Sequence, residues 1–347
     1  MRKRLAYWLV PLLLVQCTEE KYSPDYVGRI TAMEVEGEAS PTLIDDNEFF
    51  VSITLNNDPQ IDLSDLTVTR LEFSEGAKVI NLDPDTLKNF SKPVTMQVQG
   101  TDEFVFDWTI TAQKDGAQLQ IPYSDLNTWY EQQSGSKTFL NVGENAETTV
   151  WASGNEGVLV YNDEANTYPL NIGDGTLFAR METVRAVPPI APIAGGSLFV
   201  GTFKLNILDP ASSPQFGTPF RSRPKGFEVE YRYKPEIYRK SGEDVVDECD
   251  IYVLLEKRME DEVQRVATAW FRSNLAQPDW TTLDMTLVYG EDPSLPSYAQ
   301  PKKGQTFAPA DATPTHIVIV FASSAGADVF DGGIGSTLDI NNFKLNY

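Results

Sequence analysis

Histidine is nearly missing: His316 is the only one in 347 residues. That removes every His-rich metal motif and leaves a single base for a Ser-His-Asp triad, so the usual metalloprotease and hydrolase constellations have almost nothing to build on. Positive charge is also short, with 28 Lys and Arg against 50 Asp and Glu and a formal charge of −22. A surface that binds nucleic-acid phosphates needs the opposite balance, so a nucleic-acid partner is excluded. Cysteine is confined to Cys17 and Cys249. No P-loop, no G-x-S-x-G and no dinucleotide fingerprint is present, and no metal or cofactor is expected. Catalysis, if there is any, rests on carboxylates, and neutral ligands remain open. His316 opens the apolar run through Phe321 and reads as a strand residue making one structural hydrogen bond.

No apolar run is long enough to cross a membrane as a helix. The longest, Leu5 to Val15, has eleven residues where about 20 are needed to span about 30 Å of hydrocarbon. Preceded by Arg2, Lys3 and Arg4, it suits the core of a signal peptide over residues 1–16. Leu14-Val15-Gln16-Cys17 resembles a bacterial lipobox, with Gln16 where a small residue usually stands, and so implies lipidation of Cys17. Thr18-Glu19-Glu20 is similar to the acidic signal that sends some Gram-negative lipoproteins to the outer face of the outer membrane. Cleavage before Cys17 removes three basic residues and no acid, deepening the charge from −22 by three to −25. The second cysteine, Cys249, then has no intramolecular partner and reads as a small buried apolar residue.

What the chain does have is strand patterning throughout. After a tether over residues 17–28, residues 29–113 alternate as short strands. In one of them Phe49, Val51, Ile53 and Leu55 face one way and Phe50, Ser52 and Thr54 the other. Turn clusters separate the strands, which predicts a β-sandwich. Phe104 to Thr111 resembles the last strand of immunoglobulin-like modules that serve as spacers. Residues 114–347 form a second all-β unit with strands expected at Thr176–Val184, Ser197–Leu205, Gly226–Tyr233, Cys249–Lys257, Thr282–Tyr289, Thr315–Phe321 and Ser336–Tyr347. With no sustained helical period and no fixed repeat, one large jelly-roll sandwich is the simplest architecture.

Five landmarks in order carry a family resemblance: Trp129, Trp151 to Gly157, Gly195 to Gly201, Phe216 to Pro224, and Phe330 to Phe343. From about Tyr123 to Tyr347 the sequence resembles the family called "putative carbohydrate metabolism domain", whose fold is similar to galactose-binding-like jelly rolls. The resemblance implies an all-β chain with an N-terminal immunoglobulin-like sandwich and a larger C-terminal jelly roll, handling oligo- or polysaccharide. In calcium-containing relatives of that fold an Asp often precedes Asn in the closing strand, where this chain has Asn341-Asn342. An amide oxygen attracts a hard cation less than a carboxylate does, so no metal site is expected there.

Sugar recognition needs aromatic faces for ring carbons and planar polar groups for hydroxyls. Trp129, Tyr130 and Trp151, placed in loops by this reading and followed by Asn155 and Glu156, offer both. Trp270, Trp280 and Tyr298 form a second aromatic group. Arg180 and Glu182 share strand parity opposite the apolar face, where they pair with each other or bind hydroxyls. Arg221 and Arg223, confined between Pro219 and Pro224, are a stiff basic point that suits either a uronic acid or sulfate, or neighbouring carboxylates. The expected function is a surface glycan-binding lipoprotein working beside a transporter or degrading enzymes. One alternative is a glycoside hydrolase using a pair among Glu156, Glu182, Asp250 and Glu256; another is an adhesin-like structural subunit.

Overall fold

The computed structural model describes residues 27–46, 48–101, 103–187, 191–206, 209–259 and 262–347. The signal peptide, Cys17 and nearly all of the tether expected over residues 1–28 lie outside them. The chain divides into two compact units, the first ending at Asp115 and the second beginning at Gly116. Among the described residues no helix is long and apolar enough to cross a membrane.

The first unit is an immunoglobulin-like sandwich. A five-stranded sheet runs in the order Glu38–Asp45, Phe50–Leu55, Val105–Lys114, Val94–Gln99, Lys78–Val79, and faces the two-stranded ladder of Ile30–Val35 with Val68–Phe73. The alternation expected around Phe50 holds: Val51, Ile53 and Leu55 are fully buried, and Phe49 packs against their cluster. Trp108 fills the centre at 0% exposure and donates its indole N–H to the Gly28 carbonyl at 2.9 Å.

The second unit is a jelly-roll sandwich of a nine-stranded and a five-stranded sheet. The larger follows the path Trp151–Ser153, Ser197–Phe203, His316–Ala322, Cys249–Met259, Glu262–Ser273, Val288–Tyr289. The smaller runs Thr167–Asn171, Leu177–Glu182, Thr337–Asn346, Gly226–Lys234, Gln277–Thr286. Period-two alternation builds the core between them: Ile251, Val253 and Leu255 from one sheet meet Phe227, Val229, Leu338 and Ile340 from the other. Cys249 belongs to this core at 0% exposure, and burial pushes its thiol pKa up. The C-terminal strand lies in the middle of its sheet, and the first residues of the unit are stitched to it. Gln120 exchanges two hydrogen bonds with the Leu345 backbone, and the Tyr347 hydroxyl donates to the Leu119 carbonyl.

Two expectations need correction. Trp129, Tyr130 and Trp151 are not in loops, because Trp129–Ser134 pairs with Lys137–Val142 as a hairpin and Trp151–Ser153 edges the large sheet. The second aromatic group is split: Trp270 stacks on Tyr252 at 3.9 Å on the large sheet, whereas Trp280 meets Phe178 on the small one.

Candidate functional site

The hairpin explains how a cleft forms in the second unit. A two-residue connection, Gly135-Ser136, sets the register so that Tyr130 faces Asn141 and Gln132 faces Phe139. Directly paired residues in an antiparallel ladder share a face, so two amides and two aromatic rings are gathered on one side of the hairpin. Across from them stand the Trp151–Ser153 edge and residues Gly201, Thr202 and Phe203, enclosing a cleft of about 160 Å³. Gly201 is required here: its φ is +140°, and a Cβ would lie 2.1 Å from the Gln215 carbonyl oxygen of the neighbouring strand. The short helix Asn155–Leu159 then presents Glu156 to the cleft.

The polar groups form one chain. The Tyr130 hydroxyl donates to Gln132 Oε1 at 3.1 Å, Asn141 Nδ2 donates to the same oxygen at 3.2 Å and to the Trp151 carbonyl at 3.1 Å, and Gln132 Nε2 donates to Glu156 Oε1 at 3.0 Å. Glu156 is half-buried, so desolvation raises its pKa, and the Gln132 hydrogen bond offsets only part of that rise. A carboxyl group with one protein donor, beside amides and a phenol and flanked by Phe139 and Phe203, has the chemistry for sugar hydroxyls with an apolar ring face beneath.

The other sequence candidates are placed as follows. Trp151 is 1% exposed and donates its indole N–H to the Pro122 carbonyl at 2.8 Å, so its ring is a core element stacked on Phe321. Trp129 is half-buried and donates to the Leu126 carbonyl. Asn155 is fully buried and clamps Thr167 through two backbone hydrogen bonds, which positions the helix that carries Glu156. Arg180 pairs not with Glu182 but with Asp339, in a fork of 2.7 and 2.8 Å, while Glu182 accepts from the Tyr168 hydroxyl. Arg223 is spent on the carbonyls of Ala310 and Ala312 and on the Tyr289 ring, 4.2 Å away. Arg221 is half-buried, with Nε and Nη1 buried and without a partner, and desolvation lowers its pKa. Gln132 and Asn141 were missed; the signal was present as alternation around Gly135 but reads as polar surface until the hairpin is paired.

Two other places fit less well. One, about 610 Å³, lies in the first unit beside Ile30–Val35 and Glu38–Asp45; among the described residues no aromatic or amide side chain lines it, and Glu38 is occupied by the Val35 N–H and Thr42 hydroxyl. The outer face of the nine-stranded sheet carries Tyr252 and Trp270, but its centre is closed: Phe199, Leu254, Val318 and Val320 are buried there in a second apolar cluster.

Two of the carboxylates proposed for hydrolysis do not pair. Asp250 and Glu256 sit six residues apart on one strand, about 20 Å at the usual rise, where glycosidases need about 5–9.5 Å. Asp250 is held by Arg272 and Trp270, and Glu256 by Arg258. Glu156 is the one carboxylate among the residues lining the cleft.

Two sandwiches, one with a cleft of aromatic rings, amides and a lone carboxyl, define a modular β-sandwich protein of carbohydrate-related function. The chain belongs to the family "Putative carbohydrate metabolism domain", whose model matches residues 125–346. Among solved structures it is similar to a "putative glycoside hydrolase" from Bacteroides thetaiotaomicron VPI-5482, at 23% identity and a TM-score of 0.53 over 94% of this chain and 98% of that one. A second, described in the same words, from Bacteroides vulgatus ATCC 8482, aligns at 22% identity and TM-score 0.52, covering 66% of this chain and 98% of that one. At these identities the likeness shows the fold. No curated protein matches the sequence.

Proposed function

We propose that this protein is a lipid-anchored lipoprotein of the outer-membrane surface that binds glycan through its second unit, holding oligosaccharide near a transporter or degrading enzymes. The observation that carries the reading is the Glu156 cleft. Its Tyr130, Gln132, Asn141 and Glu156 form one hydrogen-bonded chain beside aromatic rings, and its volume of about 160 Å³ suits one sugar ring rather than a drug-sized ligand of about 300 Å³ or more. Binding rather than hydrolysis follows from the lone carboxylate, since both glycosidase mechanisms use two. The lipobox-like start, Cys17 and the acidic pair that follows support the anchor and its destination.

The test is a glycan array followed by calorimetry on the mature chain. Binding weakened at least tenfold by Glu156→Gln together with Asn141→Ala, both still folded by circular dichroism, is the expected result. Release of product from the bound glycan would instead establish hydrolysis, and capture of a protein partner with no glycan bound would establish the adhesin. Loss of membrane fractionation on Cys17→Ser tests the anchor.

A further inference from the structure

The outer face of the five-stranded sheet carries a feature the cleft does not use. Register places Tyr168 opposite Arg180, Arg180 opposite Asp339, and Asp339 opposite Arg232. The Arg232 guanidinium lies 4.5 Å over the Trp280 ring on the fifth strand. These five side chains therefore form one row crossing every strand, with an aromatic at each end. At about 4.8 Å between strands the row is about 19 Å long, enough for a short oligosaccharide.

Its hydrogen bonds are unevenly shared. Asp339, 5% exposed, engages both arginines. Arg180 gives it a full two-bond fork, but Arg232 gives only Nη2, at 2.7 Å, and its Nε is buried without a partner. Glu182 on the same face offsets Arg180 electrostatically, so the unspent capacity lies on Arg232. Arg232 is also fixed in orientation, packed over Trp280 and over Phe178 at 5.2 Å, and both arginine side chains keep 29% of their surface exposed. A second observation lies two residues along the same strand on the same face: Asn341 is 2% exposed, and its Oδ1 has no donor. Spare donors on a planar cation and a waiting amide acceptor between aromatic ends match a sugar bearing an anionic group beside a hydroxyl.

We propose that this row is a second glycan site, separate from the Glu156 cleft, that selects an acidic sugar and places its anionic group on Arg232. The planar fork favours the carboxylate of a glycuronic acid over a sulfate ester. Glu182, bonded to Tyr168, and Glu230, paired with Asn341 two residues along the strand from Arg232, are the like charges the ligand must approach on this face.

The experiment titrates the mature protein with oligogalacturonate, its neutral methyl ester and a sulfated oligosaccharide, at two ionic strengths. The expected result is at least tenfold preference for the acid over its ester, weakened by salt, with the sulfated ligand between them. Affinity for the acid falls in the order wild type, Arg232→Lys, Arg232→Gln, and rises in Glu182→Gln. Hydrogen exchange with the acid bound protects Leu177–Glu182, Gly226–Lys234 and Gln277–Thr286. Equal binding of acid and ester by the wild type overturns the proposal, as does protection confined to the Trp129–Val142 hairpin, which would assign all binding to the cleft. These two arms need no variant, so they decide the matter even where Arg232→Gln fails to fold.

Discussion

Replacing Asp339 by Asn should destabilise the second unit far more than any surface ion-pair change. The substitution keeps the shape of the side chain but removes the charge that joins Leu177–Glu182, Thr337–Asn346 and Gly226–Lys234 through Arg180 and Arg232. Breaking a buried pair from one side costs about 3–5 kcal/mol, because the remaining charge is left uncompensated. Here the carboxylate is 5% exposed but each arginine is 29% exposed, so water recovers part of the loss and about 2–4 kcal/mol is the better figure. For a unit of this size each kcal/mol moves the midpoint by about 2–4 °C, which gives a fall of about 5–15 °C in the second unit's transition. Differential scanning calorimetry reads it, with the first unit's transition as the internal reference. Lys344→Met, which removes the solvent-exposed pair with Glu228 on the same face, should cost under about 1 kcal/mol. A shift below about 2 °C for Asp339→Asn would refute the reasoning, since it would mean that the three-strand clamp carries no net energy.

His316 should stay neutral well into acid. Burial, with Arg258 adding to it, depresses its pKa to about 3, while the unfolded chain titrates near 6.5; stability is therefore complete above about pH 6.5 and is lost toward pH 3 at up to about 1.4 kcal/mol per unit. As the only histidine, it gives one imidazole signal by nitrogen-detected NMR, and titration of that signal near pH 6.5 would contradict its burial. For Glu156 the raised pKa means that glycan affinity should begin to fall above pH 4.5 as the solution is acidified, and that this fall should be absent in Glu156→Gln; a flat calorimetric profile from pH 4 to 7 would remove the carboxylate from the binding contact. Cys249 should be inert to thiol reagents in the native protein and react once in denaturant, because it is fully buried with its thiol pKa pushed up. Reaction at native rates would show that the core opens locally.

The strands whose apolar residues alternate cleanly were readable in the sequence, and those whose faces are mixed were not. Phe227, Val229, Tyr231 and Tyr233 alternate with charged residues, and their strand was expected almost to its ends. Glu262–Ser273 was missed, because Arg265 and Thr268 are buried on its outer face while small alanines occupy its core face, so hydrophobicity shows no period of two. Of the candidate site, Glu156 was legible through its neighbours. Gln132 and Asn141 were not, since their meeting depends on hairpin register. Arg180 was correctly assigned to the outward face, but its partner Asp339 lies 159 residues away, and no local spacing encodes such a distance.

The central position of Thr337–Asn346 sets the order in which this molecule can be made. Until that strand is available, Leu177–Glu182 and Gly226–Lys234 each present an open edge, and the opening residues of the unit have no Leu345 to bond. Without residues 337–346 the smaller sheet is two separate halves rather than a fold. Closure of the smaller sheet therefore waits on Thr337–Asn346, because no strand earlier in the sequence bridges its two halves.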